Sequence, residues 1–443
     1  MRSKALALLF AAGLACDGSG DDVIAADPQG RVLALINLEV GELQDTALVG
    51  APDGRSLVFV VQRGVITVDG IAYGQADESH LLGLSFSDSL QVLWVRDYGP
   101  AQELEVLGGR WSEPRATLVL SMGSLTISDQ TIEAPAVLSI AIADGVVVED
   151  QAIIDPAGDL ELLGLGSSES GMALVGRLTR AQDEEGTPLQ ANRIEGWAAR
   201  IDAGQTTLAW TRGFAAGDET AEFNGVGVDS LGNLIVQGHS RSFLDTAPEV
   251  SGTFLMKLGA TLGDPIWIRA VSDSVRAAPL AITSTDDIAF PSRALDTDTD
   301  PEPRPLLFSV TGTNGAERYS QQLGDASEAE PFEPTFACAT STSGENEDEA
   351  VDTIVVAGEF SGSLQLGDES ADVERISMFV INADAADGTP RFLRSSQSSV
   401  DVTVDYFACD ESGATLGGGS FVGPADADPD RDVAKLFFLR LAP

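Results

Sequence analysis

Short apolar runs alternate with clusters of glycine, aspartate, serine and proline along nearly the whole chain. Helical periodicity is nearly absent, so the pattern predicts many short β-strands joined by turns. Turn residues precede an apolar run at positions 54, 114, 171, 232, 287, 352 and 413. The intervals between them are 60, 57, 61, 55, 65 and 61 residues, which indicates seven repeat units with a period near 60.

A second landmark lies late in most units, where a turn is followed by a strand with one aromatic residue. The copies are Trp94, Trp210, Trp267, Tyr319 and Phe392. Four of them have an arginine two residues later: Arg96, Arg212, Arg269 and Arg394. The missing copy falls at VVVEDQAII. A large apolar side chain repeated at one strand position predicts a packing anchor between stacked sheets, rather than a stacking platform for a ligand.

The two ends of the chain predict how the array closes. The seventh unit ends at KLFFLRLAP, without the aromatic strand that should follow, whereas RVLALINLEV (residues 31–40) belongs to no unit. If that segment supplies the missing strand, the array becomes a ring without exposed sheet edges. We therefore predict an all-β fold, a seven-bladed β-propeller of four-stranded antiparallel blades closed by an N-terminal strand. The alternatives are an open β-solenoid or two sandwiches.

The N-terminus predicts export. Arg2 and Lys4 precede an apolar stretch, 5–15, which is too short to span a bilayer and has the length of a signal-peptide core. The stretch ends at Cys16 and looks like a bacterial lipobox, although Gly13 stands where leucine is usual. We predict a lipoprotein signal peptide at 1–15, lipidation of Cys16, a flexible tether at 16–29 and the propeller at 30–443. The alternative is an ordinary secretory signal that leaves Cys16 free.

One strand pair carries a family resemblance. The stretch VGVDSLGNLIVQG (Val226–Gly238) resembles the signature of the bacterial β-propeller-repeat family often called SBBP. The positions that match this repeat include Asp229, Gly232, Asn233, Gly238, Lys257 and Trp267. Residues 355–392 are similar to a second copy, and the other five units match weakly. The resemblance implies an exported propeller, and because that family is defined by its fold it implies no activity.

The net charge of the chain limits the classes of partner that it is expected to bind. The chain has 69 acidic and 26 basic residues, a formal charge of −43, yet 43% of its residues are hydrophobic. Such a composition predicts a folded protein with an acidic surface rather than a disordered tail. A surface this negative repels phosphate backbones, so nucleic acid is not an expected partner. It suits a salt-rich habitat, and it also suits a cationic partner.

Four connections between the second and third strands of a unit are long and acidic: LTRAQDEEGTPLQANRIEG, LDTDTDPEPRP, LGDESADVER and GPADADPDRD. Variable loops on a rigid scaffold predict a partner surface, with solvated loops without a ligand as the alternative. Two of the loops have alternating aspartates that suit calcium: Asp296, Asp298 and Asp300 in one, and Asp426, Asp428, Asp430 and Asp432 in the other. Pro301 and Pro429 stand in these loops, and neither has the glycine of an EF-hand loop.

Two cysteines remain besides Cys16. Cys338 and Cys409 lie at matching places, TFACATS and YFACDES, on the first strands of units six and seven. Exported proteins meet an oxidising compartment, so a disulfide between the two units is expected. The alternative is a pair of buried thiols in equivalent core positions.

No motif of a known catalytic class occurs, and we expect no enzyme and no cofactor apart from the calcium considered above. His239 adjoins Ser240, but strand neighbours point to opposite faces, and His80 is expected to be solvated in an acidic turn. The predicted function is a monomeric binding or scaffold module, lipid-anchored in the cell envelope, whose partner is an envelope protein or a polysaccharide. The alternatives are an exported carbohydrate-active enzyme that uses channel carboxylates, and an accessory of envelope assembly. A carboxylate cluster at the channel with one raised pKa would favour the enzyme.

Overall fold

The computed structural model describes sixteen stretches of the chain. They are 9–10, 32–51, 53–68, 70–153, 158–182, 188–215, 220–241, 252–271, 280–294, 304–323, 325–343, 350–366, 369–397, 400–409, 414–424 and 432–441. Regular structure in these stretches is entirely β. Within them, no helix has the length and apolar character needed to cross a membrane.

The first half of the chain forms strands β1 to β14. Their bounds are β1 (Leu9–Phe10), β2 (Val32–Glu39), β3 (Glu42–Gly50), β4 (Ser56–Val68), β5 (Ile71–Phe86), β6 (Val92–Ser112), β7 (Arg115–Ile127), β8 (Gln130–Glu133), β9 (Ala136–Ala141), β10 (Val147–Ala152), β11 (Asp159–Ser168), β12 (Gly171–Gln182), β13 (Pro188–Asp202) and β14 (Leu208–Phe214).

The second half forms strands β15 to β29. Their bounds are β15 (Ala221–Val228), β16 (Leu234–Ser240), β17 (Gly252–Leu258), β18 (Pro265–Ala270), β19 (Ala281–Ile282), β20 (Ile288–Ala294), β21 (Arg304–Val310), β22 (Glu317–Gln322), β23 (Asp325–Ser343), β24 (Ala350–Leu366), β25 (Glu369–Asp384), β26 (Pro390–Gln397), β27 (Val402–Cys409), β28 (Thr415–Pro424) and β29 (Asp432–Leu441).

The strands form six antiparallel sheets. Four sheets have four strands each: β11–β14, β15–β18, β19–β22, and β27–β29 with β2. A fifth sheet, β23–β26, gains the two-residue strand β1 at its edge, inside the predicted signal peptide. The sixth has eight strands and contains β3 to β10. In the described residues, the first five of these sheets are separate blades, and the eight-stranded sheet is not divided into blades, so the prediction of seven separate blades is wrong.

Strand β6 is the reason for the difference. Its residues 92–100 pair with β5, and its residues 101–112 pair with β7. The outer strand of one repeat unit thus continues as the first strand of the next without leaving the extended conformation. Two units that the sequence divides share one sheet.

The N-terminal strand joins the end of the chain. Strand β2 pairs antiparallel with β29, from Val32 opposite Leu441 to Glu39 opposite Lys435. It is the fourth strand of the last blade, as the sequence predicts. The pairing covers the edge of β29 that would otherwise be exposed.

Both faces of each sheet are buried, which explains the continuous apolar runs. In β4, Leu57 and Phe59 pack into one hydrophobic cluster, while Val58 and Val60 pack into the cluster on the opposite face. Seven such clusters lie between consecutive repeat units in the described residues. Alternate residues of one strand therefore bind the unit to its two neighbours.

Four of the five repeated aromatic residues pack against the next unit, which confirms their prediction as packing anchors. The indole N–H groups of Trp94, Trp210 and Trp267 donate to the carbonyls of Ile142, Ala260 and Gly312, at 2.8, 2.8 and 3.1 Å. The rings lie against a turn glycine with positive φ, and the pairs are Trp94 with Gly145, Trp210 with Gly263, Trp267 with Gly315 and Tyr319 with Gly388.

The connection at LGDESADVER differs from its prediction as a loop. Only residues 367–368 separate β24 from β25, and the strands continue as a paired hairpin. Leu364, Leu366 and Ala371 are buried there, because the segment alternates apolar and acidic residues. Strands β4 and β5 extend as a similar hairpin at the same end of the fold.

Candidate binding channel

A cavity of about 1250 Å³ lies among the first strands of the repeat units, and β11, β15, β19, β23 and β27 contribute most of its wall. In the described residues, each of these strands pairs with another strand on one side only, so the edge that faces the cavity has no strand partner. The lining side chains are mostly small, apolar or hydroxyl-bearing, and none of the described lining residues is Lys, Arg or His. Such a wall suits a neutral or cationic ligand and disfavours an anion.

Six first strands carry a β-bulge in the same place. The extra residues are Gln44, Leu107, Leu163, Asn224, Thr335 and Asp405. A bulged residue has no partner on the adjacent strand, and its side chain breaks the regular alternation of side-chain directions along the strand. Four of the six line the cavity, namely Leu107, Leu163, Asn224 and Thr335. We call these six residues the bulge ring.

Glycine stands opposite four of the bulges. A Cβ at Gly176, Gly238, Gly358 or Gly419 would lie 2.0, 2.6, 2.0 or 1.8 Å from a carbonyl oxygen of the bulged strand. No side chain fits at such a distance. The glycine that ends MALVG, LIVQG and TIVVAG in the sequence therefore marks the bulge.

Two carboxylates connect the bulges of adjacent units. The Asp45 carboxylate accepts the Val106 N–H at 2.5 Å, and Glu359 accepts the Val404 N–H at 2.7 Å. Burial raises the pKa of both carboxyls, and these backbone donors offset only part of that effect. Each carboxylate thus accepts a hydrogen bond from the residue that precedes a bulged residue of the neighbouring unit.

Asp405 is the acidic member of the bulge ring. Burial raises its pKa to about 6, the hydrogen bond to Ser420 opposes the rise, and the charges of Glu359 and Asp45 add to it. Its Oδ2 atom is buried and has no hydrogen-bond partner among the described residues. Asp405 is not among the predicted site residues, because DYFACD has the pattern of an ordinary strand. The signal was the glycine pair at 418–419 on the opposing strand.

Cys338 and Cys409 form a disulfide in the cavity wall, with a Cα–Cα distance of 5.9 Å. The bond joins the first strands of two adjacent blades, β23 and β27. The half-buried rings of Phe336 and Phe407 lie two residues away from each cysteine and line the same cavity.

The two histidines differ in burial. His80 is only 3% exposed, and its Nδ1 lies 2.8 Å from Asp97 Oδ1, so its prediction as a solvated residue is wrong. The β4–β5 hairpin and β6 enclose it, which the local sequence does not show. His239 is exposed whereas Ser240 is fully buried, so these neighbours point to opposite faces as predicted.

The remaining predicted sites are not tested by the described residues. Cys16 and the calcium candidates Asp296, Asp298, Asp300, Asp426, Asp428 and Asp430 lie outside them, and Asp432 only begins the backbone of β29. In the parts of the chain that are described, no three His, Cys, Asp or Glu side chains form a group that could hold a metal ion.

Consecutive antiparallel four-stranded blades around a central cavity define an all-β propeller. No family model matches the chain, and no curated protein matches it. It is similar in fold to the WD40 domain of Neurospora crassa Pan2, with TM-score 0.44, 10% identity, and coverage of 93% of this chain and 95% of that one. It is also similar to a quinohemoprotein alcohol dehydrogenase from Comamonas testosteroni, with TM-score 0.40, 10% identity, and coverage of 90% of this chain and 76% of that one. A third similar structure is an intramolecular trans-sialidase from Ruminococcus gnavus, with TM-score 0.38, 8% identity, and coverage of 91% of this chain and 95% of that one. These similarities concern the fold and carry no activity over to this chain.

Proposed function

We propose that this chain is an exported, monomeric binding module of the cell envelope, anchored by a lipid on Cys16, that holds its ligand in the propeller channel. The observation that carries the proposal is the cavity of about 1250 Å³. Ligand pockets commonly measure about 300–1,000 Å³ and have a few placed polar groups, so this cavity has room for a small ligand or a partner's side chains. Its wall is a set of rigid strands fixed by bulges, which suits binding with little rearrangement.

We also propose that seven repeat units form the ring and that two of them share the eight-stranded sheet. The division of pairing along β6 between β5 and β7 supports this count. The hydrophobic clusters between consecutive units support it as well.

The envelope anchor rests on the sequence around Cys16, and intact mass tests it. Protein purified from membranes of the native host should have the mass of residues 16–443 plus a diacylglyceryl thioether and acyl chains. The mass of a cleaved but unlipidated chain would remove the anchor from the proposal.

Binding in the channel is tested by thermal shift with a panel of neutral oligosaccharides, organic amines and organic anions. A ligand of the channel should stabilise the parent protein and fail to stabilise Leu163→Trp, because Leu163 lines the cavity. Leu262→Trp is the matched control, since Leu262 is 67% exposed on a surface turn. A ligand that stabilises both variants equally would place binding elsewhere.

Asp405 favours a second candidate, a carbohydrate-active enzyme. A carboxyl group with a pKa near 6 beside other carboxylates is suited to proton transfer. The test is release of reducing ends from neutral polysaccharides. Activity that Asp405→Asn removes would establish the enzyme and overturn the binding-only function. Turnover equal to that of the buffer blank would reject it.

A further inference from the structure

Large apolar side chains are only half-buried where they line the channel. They lie on or beside the first strands of four units and are Leu163, Leu165, Leu280, Ile282, Phe336 and Phe407. Leu163 is not a member of any of the seven hydrophobic clusters of the described residues, so packing between units does not account for its side chain. Apolar surface left exposed inside a cavity indicates a ligand that has apolar surface of its own.

Small residues alternate with these side chains and leave the space open. The small residues next to them in the wall are Gly164, Gly166, Ala281, Ala337 and Ala408. The resulting cavity of about 1250 Å³ exceeds the usual ligand-pocket volume of about 300–1,000 Å³. Its size therefore suits a ring system or a long chain rather than a single ion.

Many hydroxyl groups of the wall already have partners within the protein. Ser230 Oγ donates to Asp286 at 2.7 Å, and Ser284 Oγ donates to Asp352 at 2.6 Å. Two further bonds join hydroxyl groups to each other, Ser168 with Ser170 and Thr340 with Thr353. Because these groups are satisfied internally, they do not require a polar ligand.

The charges of the wall are confined to one end of the channel. Among the lining residues that the structure describes, the charged ones are Glu169, Asp229 and Asp286, and all three lie in the turns that follow the first strands. An ionic group further inside would lose water without gaining a counter-charge from the wall. The net charge of −43 opposes an anion in addition.

We propose that the channel binds an uncharged, largely apolar molecule, with its apolar part packed against Leu163, Phe336 and Phe407. This inference rests on the proposed binding function and names its ligand class. An aromatic ring system and an alkyl chain share this chemistry.

Two fluorescent probes with the same ring system test the proposal on the full chain. N-phenyl-1-naphthylamine is uncharged at pH 7.5, and 8-anilinonaphthalene-1-sulfonate adds one sulfonate to the same rings. We expect the uncharged probe to bind at one site per chain, with a Kd at least tenfold lower than that of the sulfonate. Equal affinity for the two probes, or no binding of the uncharged one, would overturn the proposal.

The variant Leu163→Asn should weaken binding of the uncharged probe at least fivefold, because a polar amide replaces apolar wall surface. Leu262→Asn is the matched control, since it makes the same change at a leucine that is 67% exposed on a surface turn. Equal weakening in the two variants would place the probe on the outer surface and overturn the channel ligand.

A second variant guards against a loosened fold, which would bind both probes. Thr335 is an exposed member of the bulge ring that lines the cavity, so Thr335→Leu adds apolar surface to the wall. We expect it to tighten binding of the uncharged probe at least threefold and to leave the sulfonate unchanged. Unchanged affinity for the uncharged probe in both Leu163→Asn and Thr335→Leu would overturn the proposal.

Competition identifies the kind of apolar ligand. Displacement of the uncharged probe by biphenyl but not by 1-decanol identifies a ring system, and the reverse identifies an alkyl chain. If neither competitor displaces it, the probe is not held by its apolar surface and the proposal is wrong. A neutral oligosaccharide that stabilises the parent but not Leu163→Trp, without probe binding, would keep the channel function and overturn only the apolar ligand. Failure of every ligand class would overturn both.

Discussion

Asp229 and Lys257 form a buried ion pair, with Lys257 Nζ 2.7 Å from Asp229 Oδ2. Asp229 also accepts the side-chain N–H of Asn233 at 2.9 Å, and Lys257 donates to the Gly312 carbonyl at 2.8 Å. Burial opposes ionisation, but the hydrogen bonds from Lys257 and Asn233 prevail and lower the pKa of Asp229. These residues carry the family resemblance in the sequence, and here they hold a turn and a neighbouring blade together.

Replacing the lysine should therefore be costly. We expect Lys257→Met to lower the free energy of unfolding by about 3–5 kcal/mol at pH 7, because Asp229 stays buried without its partner. The double variant with Asp229→Asn should recover part of the loss. Because the pKa of Asp229 is lowered on folding, its contribution is present above the unfolded pKa and is lost as pH falls. Urea unfolding at pH 7 and at pH 2.5, which lies below the ordinary carboxyl pKa of 3.8, measures both effects, and a loss below about 1 kcal/mol at pH 7 would contradict the structural role.

Asp405 should change stability with pH in the opposite direction to Asp229. Its pKa rises from 3.8 to about 6, so the folded state binds the proton more tightly than the unfolded state and stability falls as pH rises through this window. The cost above pH 6 is at most about 3 kcal/mol. We expect Asp405→Asn to stabilise the protein by about 1–3 kcal/mol at pH 7.5 and by much less at pH 4.5. An equal gain at both pH values, measured by urea unfolding, would mean that the proton is not involved.

Turns and outer strands form the contact between neighbouring units. Gly263 has a φ of 68°, and a Cβ there would lie 2.7 Å from the Trp210 ring. Gly204 has a similar φ of 73°, but a Cβ there would meet nothing within 4 Å. The difference follows from the sequence, since the preceding outer strand, β10, is the copy without an aromatic residue.

Substitutions at Gly204 and Gly263 separate the cost of backbone strain from the cost of a packing clash. Gly204→Ala should cost about 1–2 kcal/mol, the penalty of a left-handed conformation for a residue with a Cβ. Gly263→Ala should cost about 1–3 kcal/mol more, because the methyl group displaces Trp210. Chemical unfolding gives the values, and Trp210→Ala in the Gly263→Ala background should remove the excess. Equal costs at the two glycines would refute the contact.

The disulfide shows how a bulge alters a sequence alignment. Aligned by motif, Cys338 and Cys409 are equivalent and would point toward the same neighbour. Counted from the bulged residues Thr335 and Asp405, they differ by one place along the strand. Because side chains alternate along a strand, the two cysteine side chains point to opposite faces of their own sheets. Each therefore points toward the other blade, and the two meet in the hydrophobic cluster between the blades.

At the scale of the whole molecule, the period, the strand-rich pattern and the closing strand were predictable from the sequence. The number of separate blades was not. Gly99 and Pro100 resemble a turn, but they lie inside β6 where its pairing passes from β5 to β7. A proline fits at that point because its missing N–H is not needed by either ladder.

The channel site was predictable only in its location. That first strands surround a channel follows from the propeller, but the bulge ring depends on the register between paired strands. A shift of one residue decides whether Asp405 belongs to the ladder or leaves it. Neither composition nor spacing contains that information, although the glycines opposite four bulges were visible as an unexplained repeat.

Closure of the ring by β2 gives the last prediction. A chain that lacks residues 1–40 exposes the edge of β29, removes seven paired positions and uncovers the cluster that contains Leu38 and Phe438. We expect it to lose at least about 4 kcal/mol of stability and to self-associate through the free edge. A synthetic peptide of residues 31–40, added in trans, should restore the monomer by pairing with β29. A chain that lacks only residues 1–30 is the control, and light scattering with thermal unfolding measures both. If the shorter chain stays monomeric and as stable as this control, β2 does not close the fold.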